Sequence, residues 1–248
     1  MKCTLLWIPL LAAYSLSLQA GQFQASVSGG LLISTLTNNK SIEVSSGLFN
    51  DYVTDKDTKP GAIGGASLIY VFKELGSHPI DLSLGLSGYY LNYSEVNGLE
   101  HPIVNGGNFD TLNYSVQALS YALLLEPKLI LTRYAWQPYV FAGLGSTWNR
   151  LYDYDEIATN FNGGASPAPF PFRDKTQSDF AYEFGFGVQK AFAENPNHYF
   201  KYLVSFDYRY MNMGEAALGT MPTQDTTDHL TVSPLSTQAL VLSVTTLF

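Results

Sequence analysis

Seven ionisable side chains recur at alternating positions inside segments that are otherwise apolar or small: Asp81, Glu126, Lys128, Glu183, Lys201, Asp207 and Arg209. On an extended chain, residues two apart share a face, so the spacing predicts that these groups project into a common interior. A charge buried there without a counter-charge loses several kcal/mol of hydration, so they must pair. Glu183 and Arg209 are the predicted partners. Both belong to the odd-numbered face of neighbouring segments, and a turn centred near Pro196 sets Arg209 opposite Glu183. A two-residue slip would substitute Asp207 or Met211. The expected chemistry is occlusion: an interior network of Glu126, Lys128, Glu183, Lys201, Asp207 and Arg209 that interrupts any water channel. The alternative is a set of hydrated side chains with no specific pairing.

Other residue sets point to catalysis or metal binding only weakly. Asp225, Asp228, His229 and Ser233 are the nearest approach to a Ser-His-Asp arrangement. Such residues share a polar loop by chance, and a triad is defined by geometry rather than by closeness in sequence. Asp153, Asp155 and Glu156 offer carboxylate oxygens to a hard cation, but the segment lacks the glycine turn and ligand spacing of an EF-hand loop. It reads as a solvated acidic loop. Cys3 is the one cysteine, and it falls in a leading segment expected to be removed, which excludes disulfides and thiolate chemistry from the mature chain. No catalytic residue, cofactor or metal ligand is assigned.

The elements that must position the seven ionisable residues are strands, because the apolar period is two throughout. Eight segments alternate, near 23–35, 61–72, 80–93, 111–131, 138–152, 180–192, 200–210 and 239–248. In the third, Ile80, Leu82, Leu84 and Leu86 alternate with Asp81, Ser83, Gly85 and Ser87. In the sixth, Phe180, Tyr182, Phe184, Phe186 and Val188 oppose Glu183, Gly185, Gly187 and Gln189. The seventh sets Phe200, Tyr202, Val204, Phe206, Tyr208 and Tyr210 against Lys201, Ser205, Asp207 and Arg209. In the fourth, Leu112, Tyr114 and Val116 are expected outward, as are Leu123, Leu125 and Leu129 further on. That requires a change of parity and therefore a β-bulge near Leu119.

The links between segments alternate in length. Three short ones lie near 73–79, 132–137 and 193–199, and four long polar ones near 36–60, 94–110, 153–179 and 213–235. The chain carries 21 acidic and 13 basic residues, and 15 of the acidic ones fall in the long links with only five basic ones. This acidity argues against nucleic-acid binding, which depends on neutralising phosphates. A soluble lipocalin-like barrel would point the apolar parity inward, but the bulky rings of the sixth and seventh segments overfill a narrow lumen. Residues 1–20, with Lys2 followed by an apolar stretch and small Ala20, are expected to be a secretory signal. The barrel is then 21–248.

The last segment places Leu240, Leu242, Val244 and Phe248 on one face and stops on an aromatic residue. This resembles the C-terminal signature of Gram-negative outer-membrane barrels. Together with the leading signal, the eight alternating strands and the glycine-containing run from Gln137 to Gly145, the chain is similar to the OmpA-type transmembrane barrels and the opacity-type surface proteins. The resemblance implies an all-β fold, an eight-stranded antiparallel up-and-down transmembrane β-barrel in the outer membrane. It implies recognition by the barrel-assembly machinery and contact with outer-membrane lipid and lipopolysaccharide. It also implies short periplasmic turns, long extracellular loops and both termini in the periplasm. The function expected is that of a structural or surface-interaction protein whose acidic loops meet host or cell-surface ligands. A narrow pore or transporter for small solutes is the alternative.

Overall fold

The computed structural model describes residues 21–34, 36, 39–46, 48–55, 58–72, 79–104, 107–108, 111–159, 172–192, 201–222 and 224–247. The expected signal at 1–20, the turn around Pro196 and the terminal Phe248 lie outside these residues. Fourteen strands occur among them: β1 (Gln22–Ser34), β2 (Asn39–Ser45), β3 (Leu48–Thr54), β4 (Lys59–Phe72), β5 (Ile80–Asn92), β6 (Val96–Val104), β7 (Gly107–Asn108), β8 (Leu112–Leu131), β9 (Gln137–Ala158), β10 (Lys175–Phe192), β11 (Lys201–Asn212), β12 (Ala216–Ala217), β13 (Thr231–Val232) and β14 (Ser236–Leu247).

Eight of them close a cylinder in which each strand pairs antiparallel with its neighbour in the order β1, β4, β5, β8, β9, β10, β11, β14 and back to β1. Closure leaves no open edge in this band, as a sheet surrounded by hydrocarbon requires. The bulky parity faces out. Phe184 and Phe206 retain 53% and 50% of their surface, while Val27, Leu68, Leu123, Leu144 and Leu242 surround them as an apolar belt. Aromatic rings rim the belt at both ends, with Phe23 edge-on to Tyr70 at the short-link end and Tyr90 against Tyr121 at the long-link end. Tyr121 to Leu131 is the stretch of β8 between the rims, close to the ~10 residues that a tilted strand needs to cross a membrane. The soluble-barrel alternative, with these rings packed inside, does not hold.

Strands β8 and β9 continue well beyond the belt. Their upper parts pair with each other, and β8 also pairs with β6, which pairs with β3, which pairs with β2. Three of the long links thus contribute to one sheet standing above the membrane band. Water surrounds the outer side of this sheet, so its apolar side chains turn inward: Leu112, Tyr114 and Val116 are buried, and Asn113 and Gln117 are exposed.

This corrects the expectation for the fourth barrel strand. Its even-numbered residues face inward along its whole length, from Leu112 through Leu124 to Ile130, and no bulge occurs near Leu119. What changes along the strand is the environment, from hydrocarbon outside to water outside. The bulge lies instead in the neighbouring strand. Ser115 pairs with Asp155 and Gln117 with Tyr152, so β9 carries one extra residue there, and Asp153 adopts a left-handed backbone with φ of 52°. The inward face of β9 passes from Leu151 to Tyr154 across that residue.

Candidate functional site in the occluded lumen

The lumen contains two stacked closures. The lower one is ionic. Arg209 of β11 reaches across to Glu183 of β10, with Nη1 3.2 Å from Oε2, and holds Asp207 on its own strand, with Nη2 2.7 Å from Oδ1. Its Nη1 also donates to the Tyr89 hydroxyl at 2.6 Å, which in turn donates to Glu126 Oε1 at 2.5 Å. The guanidinium lies between two rings, 5.0 Å from the centroid of Tyr89 and 4.9 Å from that of Phe141. Tyr139 donates to Asp207 Oδ2 at 3.1 Å, and the Lys128 ammonium sits 4.3 Å over the Tyr139 ring. Glu183, Asp207 and Arg209 retain 2%, 3% and 5% of their surface. Charges so far from water persist because each of the barrel strands β5, β8, β9, β10 and β11 contributes a partner.

The ion pair forms in a register different from the expected one. Glu183 is opposite Met211, and Arg209 is opposite Gly185, a slip of two residues. Arg209 still meets Glu183 because a long side chain reaches its diagonal neighbour across a strand pair. Glycine provides the room. Gly143 of β9 lies between Glu126 and Glu183, and a Cβ placed on it would stand 2.8 Å from Glu183 Oε1 and 3.1 Å from Glu126 Cγ. Only a residue without a side chain lets these two carboxyl groups approach each other over the intervening strand.

Opposite this charged wall stands one of small hydroxyls. Ser87 donates to Ser67 at 2.8 Å and Thr245 to Ser26 at 3.0 Å, on β5, β4, β14 and β1. The space left between the walls is a cavity of about 30 Å³ lined by Ser26, Ser205, Ser243, Glu126, Asp207 and Arg209. It holds about two waters and is far too small for a solute path.

Of the sequence-predicted interior residues, Glu126, Lys128, Glu183, Asp207 and Arg209 come together here. Asp81 keeps the inward parity but lies at the short-link mouth, beside Ile130 in register. The backbone of Lys201 pairs with Leu247, and its side chain lies outside the described part of the structure. Tyr89, Tyr139 and Phe141 were missed by sequence reasoning. Their signal was available, since each continues the inward parity of its strand.

The upper closure is apolar. Immediately above the ionic layer Leu32, Ile63, Leu91, Leu124, Met211 and Val241 fill the lumen, all buried. Over them folds the link from 213 to 235, which contributes Met213, Leu218, Met221, Leu230, Val232 and Leu235 to the same core. Asn149 fastens it from the barrel wall, donating to the carbonyls of Met213 at 2.5 Å and Glu215 at 2.9 Å. The far side of the link is tied to β2. Lys40 donates to the His229 carbonyl at 2.7 Å, the Asp225 amide to the Val44 carbonyl at 3.0 Å, and the Glu43 amide to Asp228 at 3.3 Å. Asp225, Asp228 and His229 therefore fasten this plug, and among the described residues no hydrogen bond joins the side chains of Asp225, Asp228, His229 and Ser233 into a triad. Burial, with Lys175 and Lys40 nearby, lowers the His229 pKa from its ordinary value.

Above the plug, Asp153 and Asp155 face outward while Glu156 faces inward, so the acidic run does not converge on one point. Glu156 instead approaches Glu100 of β6. Asn50 donates to Glu100 Oε1 at 2.5 Å and Tyr154 to Oε2 at 3.2 Å. Burial first, and the Glu156 carboxyl second, push the Glu100 carboxyl up to about 8.

Residues 3–248 match the family described as outer membrane protein beta-barrel domain. The chain belongs to that family. It is an outer-membrane barrel of the Gram-negative type, crossing the bilayer with strands, and among the described residues no helix is long and apolar enough to do so. Among solved structures the barrel is similar to Neisserial surface protein A, at 12% identity over 90% of this chain and 95% of that one, with a TM-score of 0.41. It is also similar to OprG from Pseudomonas aeruginosa, at 14% identity over 91% and 95%, TM-score 0.39. Ail of Yersinia pestis, crystallised with a heparin analogue, matches at 12% identity over 92% and 99%, TM-score 0.33. No curated protein matches.

Proposed function

We propose that this barrel is a structural and surface-interaction protein rather than an enzyme or a pore. In this reading the long links face outside, the short links and both termini face the periplasm, and the last strand carries the signal read by the barrel-assembly machinery. The observation that carries it is the double closure of the lumen: an ion-paired layer with room for about two waters, roofed by a packed apolar core that includes the link from 213 to 235.

The display surface is acidic. A crevice of about 380 Å³ on the outer side of the raised sheet is lined by Asp55, Glu95, Asn97, Asn113 and Asp155. Such a surface suits cationic groups on a host or neighbouring cell, or lipopolysaccharide phosphates bridged through divalent cations. Planar-bilayer recording of the refolded protein tests the closed lumen. Silence is expected, together with conductance or a lowered unfolding temperature in Glu183→Ala. Regular unitary openings in the unmodified protein refute the proposal in favour of a narrow pore. Labelling of a cysteine placed at Asp225 on intact cells tests the orientation.

A further inference from the structure

A groove of about 550 Å³ crosses the lipid-facing wall of β8 to β11 near the short-link end. Strand register places Leu129, Val140, Phe186 and Tyr208 in one row along it, and Pro138 and Val188 in the next. Leu129, Val140 and Phe186 project outward. The groove is therefore an apolar trench open to the bilayer, not a part of the lumen. Hydrocarbon must fill it, because an unfilled apolar space forfeits the contacts of its whole lining.

What distinguishes this trench from ordinary lipid-facing surface is its lower end. Lys190 follows Phe186 and Val188 on the same outward face of β10 and pairs with Val204. Its ammonium lies 5.1 Å from the centroid of the Trp136 ring and 5.7 Å from that of Phe192. Among the described side chains it is the only cation on the outward face of a barrel strand in the short-link half, Arg133 lying in the turn beyond β8, and no ion pair joins it to a described carboxylate. Arg150, the outward cation at the opposite rim, is ion-paired with Asp174 at 2.8 Å. A lysine beside a rim tryptophan extends its ammonium to the headgroup level. Lys190 thus presents a positive charge, with no carboxylate partner among the described residues, at the rim directly below an apolar trench.

We propose that this trench binds one glycerophospholipid with a net-negative headgroup, one acyl chain lying in the groove and the phosphodiester resting on Lys190. Its assignment to the periplasmic leaflet rests on the orientation proposed above. The groove and its lysine do not. The occupant is a phospholipid rather than a second copy of the chain because the positive charge at the end of the trench faces headgroups, where an anion is supplied by lipid.

The test uses the full chain with Trp7→Phe and Trp148→Phe, so that Trp136 is the only indole, refolded into phosphatidylcholine vesicles. Phosphatidylglycerol with brominated acyl chains is added as quencher and compared with brominated phosphatidylcholine at the same mole fraction. Both leaflets carry the same lipids, so the result is independent of orientation and of whether the lumen conducts. The expected relative binding constant favours phosphatidylglycerol about fivefold, the contribution of one lysine near an anionic lipid. Lys190→Gln is expected to abolish that preference, and Val188→Phe, which fills the trench, to weaken quenching by both lipids. Leu68→Phe on the opposite wall is expected to change neither. Equal quenching by the two lipids, a preference that survives Lys190→Gln, or quenching indifferent to Val188→Phe each overturns the proposal. Positions 68, 148, 188 and 190 face outward rather than into the core, and folding of each variant is checked by the compact electrophoretic mobility of the unheated protein.

Discussion

Replacing Glu100 with Gln should remove most of the pH dependence of the sheet that stands above the membrane. Glu100 is buried beside Glu156, and its carboxyl is raised from 4.5 to about 8. When β6 detaches, Glu100 regains an ordinary carboxyl. Between those two values the closed sheet therefore binds more protons than the opened one, and closure weakens as pH rises. The loss begins near pH 4.5 and is complete above about pH 8. At 1.36 kcal/mol per unit it reaches about 3 kcal/mol at pH 7 and about 5 kcal/mol above pH 8. Glutamine keeps the size and can still accept from Asn50, but it carries no charge against Glu156. Hydrogen exchange of the amides in β6 (Val96–Val104), corrected for intrinsic rate, reads the opening equilibrium directly. Protection should fall about a hundredfold between pH 5 and pH 7 in the unmodified protein and stay nearly flat in Glu100→Gln. A parallel pH profile in the two proteins would refute the reasoning, because the buried carboxyl would then not be the group that titrates.

Other outcomes follow from the same geometry. Arg209→Met leaves Glu183, Glu126 and Asp207 in the lumen without their shared cation, and should lower unfolding free energy in urea by about 3–5 kcal/mol. Gly143→Ala drives a methyl group into Glu183 and should cost about 1–3 kcal/mol by the same measurement, whereas alanine at outward Gly64, with only a backbone oxygen at 4.0 Å, should be nearly neutral. Asn149→Ala removes the two hydrogen bonds that this side chain donates to the link from 213 to 235 and should raise exchange at Met213 and Leu235 with a local cost of about 1–3 kcal/mol, while the transmembrane strands stay protected. Phe186→Arg puts a charge in the middle of the lipid belt and should destabilise the folded barrel by about 2–4 kcal/mol in bilayers.

Much of this protein was legible in its residues. A period of two, eight segments long and joined by alternately short and long links, determines a closed antiparallel barrel, because only full pairing satisfies the backbone in hydrocarbon. That Phe184, Phe206, Leu240, Leu242 and Val244 share one face and Glu126, Glu183, Asp207 and Arg209 the other follows from parity alone. Register does not. Alternation is unchanged by a two-residue slip, so it cannot distinguish Arg209 opposite Glu183 from Arg209 opposite Gly185, and the turn that chooses lies in a polar link.

Tertiary structure alone decided what surrounds each face. Leu112, Tyr114 and Val116 have the same alternation as Leu123, Leu125 and Leu129, yet the first three point to the axis and the others to lipid. A periodic pattern states that two faces differ in polarity, and not which face meets water. Above the membrane the greasy face must turn inward, and there it packs on a link whose apolar residues, Met213, Leu218, Leu230 and Leu235, have no regular period and so gave no sign of folding over the lumen. The plug, the raised sheet and the Glu100–Glu156 pair all arise from contacts between links distant in sequence, which only the folded chain brings together.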